Sequence, residues 1–156
     1  MEMIKLTIDG KEVSGKKGQT ILEAARDNNI DIPFLCFHPR ISKTGACRIC
    51  IVRVNDVMVK ASCTEPVTEG MKVVTIDDEI VNVRKGILEL LLAEGEHNCL
   101  YCSENGNCEF QRLCMEYDAQ APDGSFQPRK RTVDSTSSKG LVRNEDRCIL
   151  CGRCVK

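Results

Sequence analysis

Ten of the eleven cysteines fall into three runs whose spacing suits metal-binding thiolates. Cys36, Cys47, Cys50 and Cys63 make the first, His97, Cys99, Cys102 and Cys108 the second, and Cys148, Cys151 and Cys154 the third. A thiolate is a soft anionic donor, and four of them satisfy either one tetrahedral zinc or two irons bridged by sulfide. Zinc ribbons present two Cys-x2-Cys knuckles, and the first run has one, so iron-sulfur ligation is the expectation and a zinc-stapled interaction protein the alternative. Three such runs within 156 residues leave little room for anything but passing an electron from centre to centre.

Each run has its own detail. Gly45 and Ala46 precede Cys47, and residues this small let backbone N–H groups approach the sulfurs, which raises a reduction potential. His38 follows Cys36 by two, as in half of a Rieske site, but Arg53 stands where the second histidine would be needed, so His38 is read as a loop residue. In the second run Gly106 permits the tight return that brings Cys108 back to the first pair. Three thiolates and one imidazole can close a 4Fe-4S cube, and a neutral nitrogen in place of a thiolate raises its potential. Cys114 matches no ligand position and reads as a small buried apolar residue. The third run is the opening of the bacterial ferredoxin pattern, C-x2-C-x2-C-x3-C, and stops before the fourth cysteine. A complete domain of that kind needs more residues, so the chain reads as the front portion of a longer protein or a deliberately short form of one.

The stretch Ile32-Pro-Phe-Leu-Cys36-Phe-His-Pro, followed by Gly45-Ala-Cys47-Arg-Ile-Cys50, resembles the N-terminal iron-sulfur module shared by FeFe hydrogenases, NAD-linked hydrogenase electron-transfer subunits, the large iron-sulfur subunit of complex I and NAD-linked formate dehydrogenases. The resemblance continues through Leu-Leu-Leu-Ala93 and Asn-Gly-Asn-Cys108-Glu, and Arg143-Asn-Glu-Asp-Arg-Cys148 is similar to the entry of the family's two-cluster domain. It implies a 2Fe-2S cluster on Cys36, Cys47, Cys50 and Cys63 in a beta-grasp fold, a 4Fe-4S cluster on Cys99, Cys102, Cys108 and His97, and part of a further 4Fe-4S site on Cys148, Cys151 and Cys154. It also implies partners that bind flavin or NAD(H) and carry the catalytic centre of a redox complex. One departure stands out: many members carry the ligand histidine four residues before the first cysteine, where this chain has Gly95.

The elements that must hold these ligands are written in the periodicity. Residues 3–8 alternate, and Asp9-Gly10 is a hairpin turn signal. Thr20-Ile-Leu-Glu23 is a capping box, opening a helix with Ile21, Leu22, Ala25 and Ile30 as its apolar stripe. An irregular loop, 32–47, then carries the first cysteines. Residues 49–54 and 57–61 read as a hairpin about Asn55-Asp56, and 71–76 as a last strand. From 77 to 94 the period changes to helical, with Ile80, Val83, Ile87 and Leu91 on one face, and a shorter helix is expected over 107–117.

The expected class is therefore α+β: a beta-grasp 2Fe-2S ferredoxin-like domain over 1–78, a small helical 4Fe-4S segment over 79–120, a surface connection over 121–142 with a solvated basic turn at Arg129-Lys130-Arg131, and a partial ferredoxin-like tail over 143–156. A formal charge of −1 supplies no basic footprint for nucleic acid or for a membrane surface. The longest apolar run, 87–93, is interrupted by Glu89 and too short to cross a bilayer, and residues 1–10 lack a signal-peptide core. A cytoplasmic protein is expected, because in a reducing compartment so many thiols serve metals better than disulfides. No glycine fingerprint for a nucleotide and no catalytic ligand set stands out, so turnover is assigned to other domains or subunits, with the front segment of an FeFe hydrogenase polypeptide as an alternative.

Overall fold

The computed structural model describes residues 2–41, 43–122, 133–134 and 138–156. It forms two compact units, Met1–Arg84 with Gly152–Lys156, and Lys85–Cys151. In the first, strands β1 (Met3–Ile8) and β2 (Lys11–Lys16) pair antiparallel. Asp9 and Gly10 close the hairpin in the left-handed region, at φ 49° and 77°, the geometry whose twist matches that of the flanking strands. Helix α1 (Ile21–Asp27) starts at the capping box: the Glu23 N–H donates to the Thr20 hydroxyl at 3.3 Å, and the Thr20 N–H to the Glu23 carboxylate at 3.0 Å. Strands β3 (Ile51–Val54) and β4 (Met58–Ala61) form the second hairpin about Asn55 and Asp56, both left-handed. Strand β5 (Lys72–Val74) inserts between the hairpins, parallel to β1 and antiparallel to β3, giving the mixed order β2-β1-β5-β3-β4.

Ile21, Leu22, Ala24 and Ala25 of α1 are buried in one cluster with Leu6, Ile8, Val52 and Val73 of the sheet. Ile30, expected on the helical stripe, lies beyond the helix end and packs partly buried against the same core.

Helix α2 (Asp78–Ala93) is capped by Asp77, whose carboxylate accepts the Ile80 N–H at 2.8 Å and pairs with the Arg53 guanidinium at 2.9 Å. Its buried face differs from the expected one. Ile80, Arg84 and Leu88 are enclosed, whereas Val83 is 41% exposed. An arginine sets that face, because the Arg84 guanidinium donates to the carbonyls of Ile51 and Thr75, and hydropathy cannot foresee such a partner. No helix among the described residues is long and apolar enough to cross a membrane.

The second unit contains the end of α2, a 3-10 turn at Cys99–Tyr101 and helix α3 (Glu109–Glu116), slightly shorter than the expected 107–117. The region expected as a connection includes strand β6 (Val133–Asp134), which pairs with β7 (Arg143–Asn144); the basic turn Arg129-Lys130-Arg131 lies outside the described residues. A 3-10 turn at Glu145–Arg147 follows, with the Asn144 side chain accepting the Asp146 N–H at 3.0 Å.

Candidate metal centres

Three separate segments bring the first four cysteines together. Cys36 comes from the loop after α1, Cys47 and Cys50 flank a turn in which Arg48 takes a left-handed φ of 59°, and Cys63 follows β4. The Cys36 N–H points at the Cys47 sulfur at 3.4 Å and the Cys47 N–H at the Cys36 sulfur at 3.5 Å. The sulfurs themselves are in hydrogen-bonding reach. Cys36 is held well below the usual thiol range by the thiol of Cys47, then by that of Cys63, with the Cys47 and Ala46 N–H groups assisting. Cys50 is lowered chiefly by the Cys63 thiol. The donors move the other way: Cys47 is raised by Cys36, and Cys63 by Cys36 and Cys50. A cysteine binds metal as its thiolate, and thiols this close to one another are placed to share one centre.

Backbone and small side chains lock this arrangement. The Cys50 carbonyl accepts both the Ser62 hydroxyl at 2.7 Å and the Ser62 N–H at 3.0 Å, which fixes Cys50 beside Cys63. Gly45 has φ 63°, and a Cβ there would lie 3.0 Å from the Thr64 methyl, so the small residue lets the Cys47 turn close over the Cys63 segment. His38 accepts the Arg40 N–H on Nδ1 at 3.3 Å and serves its own loop. Among the described residues no three His, Cys, Asp or Glu side chains are placed to hold a single metal ion. Two irons ask for a different layout, two thiolates each. Cys36 meets Cys47 and Cys63, and Cys63 meets Cys50, so the four thiols form one connected set that could serve two irons.

In the second unit His97, Cys99, Cys102 and Cys108 line one cavity of about 430 Å³, with Phe110 and Arg147 also on its wall. Cys99 and Cys102 lie on successive turns, the Cys102 N–H donating to the Cys99 carbonyl at 3.1 Å. Gly106 is left-handed at φ 80°, as the tight return requires. Gln111 buckles that loop: its side-chain oxygen accepts the Gly106 N–H, and its amide donates to Asn105, each at 2.8 Å. The His97 ring lies 5.1 Å from the Phe110 ring, and Nε2 is 3.1 Å from the Leu91 carbonyl. A carbonyl only accepts, so Nε2 donates in this contact, an arrangement of the kind by which an outer carbonyl can orient an imidazole. A side chain at Gly95 would collide with the Asp146 carbonyl oxygen, which gives this chain a steric reason to have no histidine at that position.

Cys114 is 9% exposed on α3, and burial, followed by the charges of Cys99 and Cys108, pushes its thiol up to about 11. It is a protonated core group. In the third run Cys148 and Cys151 belong to the second unit and Cys154 to the first, so the unit boundary falls inside the motif. The Leu150 N–H points at the Cys148 sulfur at 3.4 Å, and Arg153 donates to the Phe37 carbonyl at 3.0 Å. Ser62, Arg84, Gln111 and Arg153 had no signal in the sequence, since each acts on a carbonyl or loop remote in the chain or set by local folding.

Residues 1–78 match the family model described as a 2Fe-2S iron-sulfur cluster binding domain, and residues 84–122 match the NADH-ubiquinone oxidoreductase-G iron-sulfur binding region. The chain is 39% identical over 153 residues to the NAD-reducing hydrogenase HoxS subunit gamma of Cupriavidus necator, covering 98% of this chain and 64% of that one. It is 38% identical over 156 residues to the NADH-ubiquinone oxidoreductase 75 kDa subunit of Reclinomonas americana, covering 99% of this chain and 22% of that one. The NADP-reducing hydrogenase subunit HndD of Solidesulfovibrio fructosivorans is 39% identical over 162 residues, with 99% of this chain and 27% of that one covered. The crystal structure of an NAD+-reducing NiFe hydrogenase in the H2-reduced state superposes with a TM-score of 0.88 at 38% identity, over 97% of this chain and 64% of that one. The chain thus spans less than two thirds of the length of these relatives.

Proposed function

The chain belongs to the family of 2Fe-2S iron-sulfur cluster binding domains, and on that premise we propose an electron-transfer module built as a beta-grasp domain, a helical cubane segment and a ferredoxin-like tail. Its cofactors are a 2Fe-2S and a 4Fe-4S cluster. Cys36, Cys47, Cys50 and Cys63 would hold the first, and His97, Cys99, Cys102 and Cys108 the second. The observation that carries this reading is the convergence of four thiols from three chain segments within hydrogen-bonding reach of one another. Bound clusters of these types take up and release single electrons without making or breaking a substrate bond. The protein's own task is to hold the sulfurs, aim N–H groups at them and exclude water. His97 would keep the cubane less negative than an all-cysteine site and so raise its potential.

The tail cysteines Cys148, Cys151 and Cys154 would supply three corners of a further 4Fe-4S site, completed by residues outside this run. The corresponding domain limits would be 1–78, 79–120, 121–142 and 143–156, the change of periodicity and composition along the sequence being their support. Partners of the module would be flavin- or NAD-binding and catalytic subunits of a redox complex, a reading supported by relatives whose names are those of NAD- and NADP-reducing hydrogenases and NADH-ubiquinone oxidoreductase subunits. A cytoplasmic setting fits eleven cysteines that form no disulfide. The match to only 27% of a hydrogenase subunit favours, as a second reading, the front segment of a larger hydrogenase polypeptide.

Anaerobic reconstitution tests the proposal. A brown protein with about six irons, two plus four, and a rhombic signal in electron paramagnetic resonance is expected. Cys47→Ser should abolish the rhombic signal and leave the cubane signal. A colourless, zinc-loaded chain, or loss of both signals together, would overturn the assignment.

A further inference from the structure

Two arginines donate to the backbone carbonyl immediately after a cysteine of the first site. Arg84 is 2% exposed, and its Nη2 lies 2.7 Å from the carbonyl oxygen of Ile51, the residue after Cys50, and 2.9 Å from that of Thr75. Arg153 places Nη2 3.0 Å from the carbonyl oxygen of Phe37, the residue after Cys36. Each guanidinium is therefore tied to the backbone one residue beyond a candidate ligand, Arg84 next to Cys50 and Arg153 next to Cys36.

A guanidinium does not lose its proton in a protein, so each is a permanent positive charge. Inside the protein such a charge acts through a lower dielectric and less salt screening than at the surface. Reduction adds one negative charge to the cluster, and a fixed cation within a residue of the ligands stabilises that state over the oxidised one. Anchoring a loop requires only a donor; shifting an electron equilibrium requires the charge. We infer that Arg84 and Arg153 set the reduction potential of the 2Fe-2S centre, Arg84 more strongly because it is more deeply enclosed. The inference rests on Cys36, Cys47, Cys50 and Cys63 being the ligands.

The full chain is reconstituted as wild type, Arg84→Gln, Arg84→Lys and Arg153→Gln. Iron and sulfide are counted first, and the rhombic signal is then titrated with dithionite and mediators, dithionite supplying the electron. At the wild-type midpoint the reduced-to-oxidised ratio should fall about tenfold in Arg84→Gln, a shift of about 59 mV for a one-electron couple. Arg153→Gln should shift in the same direction by about threefold, and Arg84→Lys should stay within about twofold of wild type because the charge is kept. A neutral variant that keeps its irons and the wild-type ratio overturns the inference, as does a lysine variant that falls as far as the glutamine one. If Arg84→Gln does not hold the cluster, Arg153→Gln decides, its side chain being half exposed and outside the sheet core. Absence of the rhombic signal from wild type would instead refute the ligand assignment.

Discussion

Cys36, Cys50 and Cys63 are buried against a sheet and a helix, whereas Cys99, Cys102 and Cys108 are half exposed around a cavity. The first unit has a broad apolar core, in which Ile8, Ile21, Leu22, Val52 and Val73 pack together with Cys50 and Cys63. In the second unit the buried apolar positions among the described residues are Leu88, Phe110, Leu113 and Cys114, while Leu100 and Tyr101, between Cys99 and Cys102, are 82% and 81% exposed. The contrast teaches a division of labour. A core of that breadth is expected to fold ahead of its cluster, and the sparsely buried second unit is expected to draw much of its order from its metal, as small metallo-domains do.

Removing the clusters with a chelator under reducing conditions should break the two units apart in behaviour. Hydrogen exchange in residues 99–116 should accelerate by more than about 100-fold, while β1, β3 and α1 should stay within about tenfold of the loaded protein. Equal acceleration in both would mean that the sheet, too, relies on metal.

His97 sharpens the comparison from the weaker side. His97→Ala should lose most of the cubane iron and leave the rhombic signal, whereas His97→Cys should restore the iron at a lower potential because a neutral donor becomes an anionic one. Unchanged iron content and midpoint in both variants would remove the histidine from the ligand set.

From the stronger side, Leu22→Ala cuts a fully buried side chain from the core and should cost the first unit about 3 kcal/mol in chemical denaturation. Exchange in α3 should be indifferent to it. A cost below about 1 kcal/mol would show that the cluster, and not the core, carries the stability of this unit.

The smallest effect is expected at Asp77. The Arg53 guanidinium beside it, and then the Ile80 N–H, hold its carboxyl below the usual aspartate range. A lowered folded value means that the contribution to stability is present above an ordinary aspartate pKa of about 3.9 and is lost as pH falls through the folded value. The difference in denaturation midpoint between wild type and Asp77→Asn should therefore shrink on going from about pH 6 to about pH 3. A difference independent of pH would assign the role to the cap alone.

Much of the molecule is determined over short stretches, and there sequence suffices. Asp9-Gly10 and Asn55-Asp56 make their turns because their residues tolerate left-handed backbone, and Thr20 with Glu23 starts α1 because both capping partners lie within one turn. Cysteine spacing likewise announces thiolate sites, since ligands from one tight loop are neighbours by covalent geometry. What tertiary structure alone decided is where distant backbone meets a charge or a carbonyl. The parallel pairing of β1 with β5, the enclosure of Arg84 by the carbonyls of Ile51 and Thr75, the closure of Gly45 on Thr64, and the turn of His97 toward Leu91 all depend on such meetings. Hydropathy scores Arg84 as a surface residue and Val83 as core, and the reverse holds because the backbone carbonyls of Ile51 and Thr75 accept hydrogen bonds from the guanidinium and offset the cost of burying it.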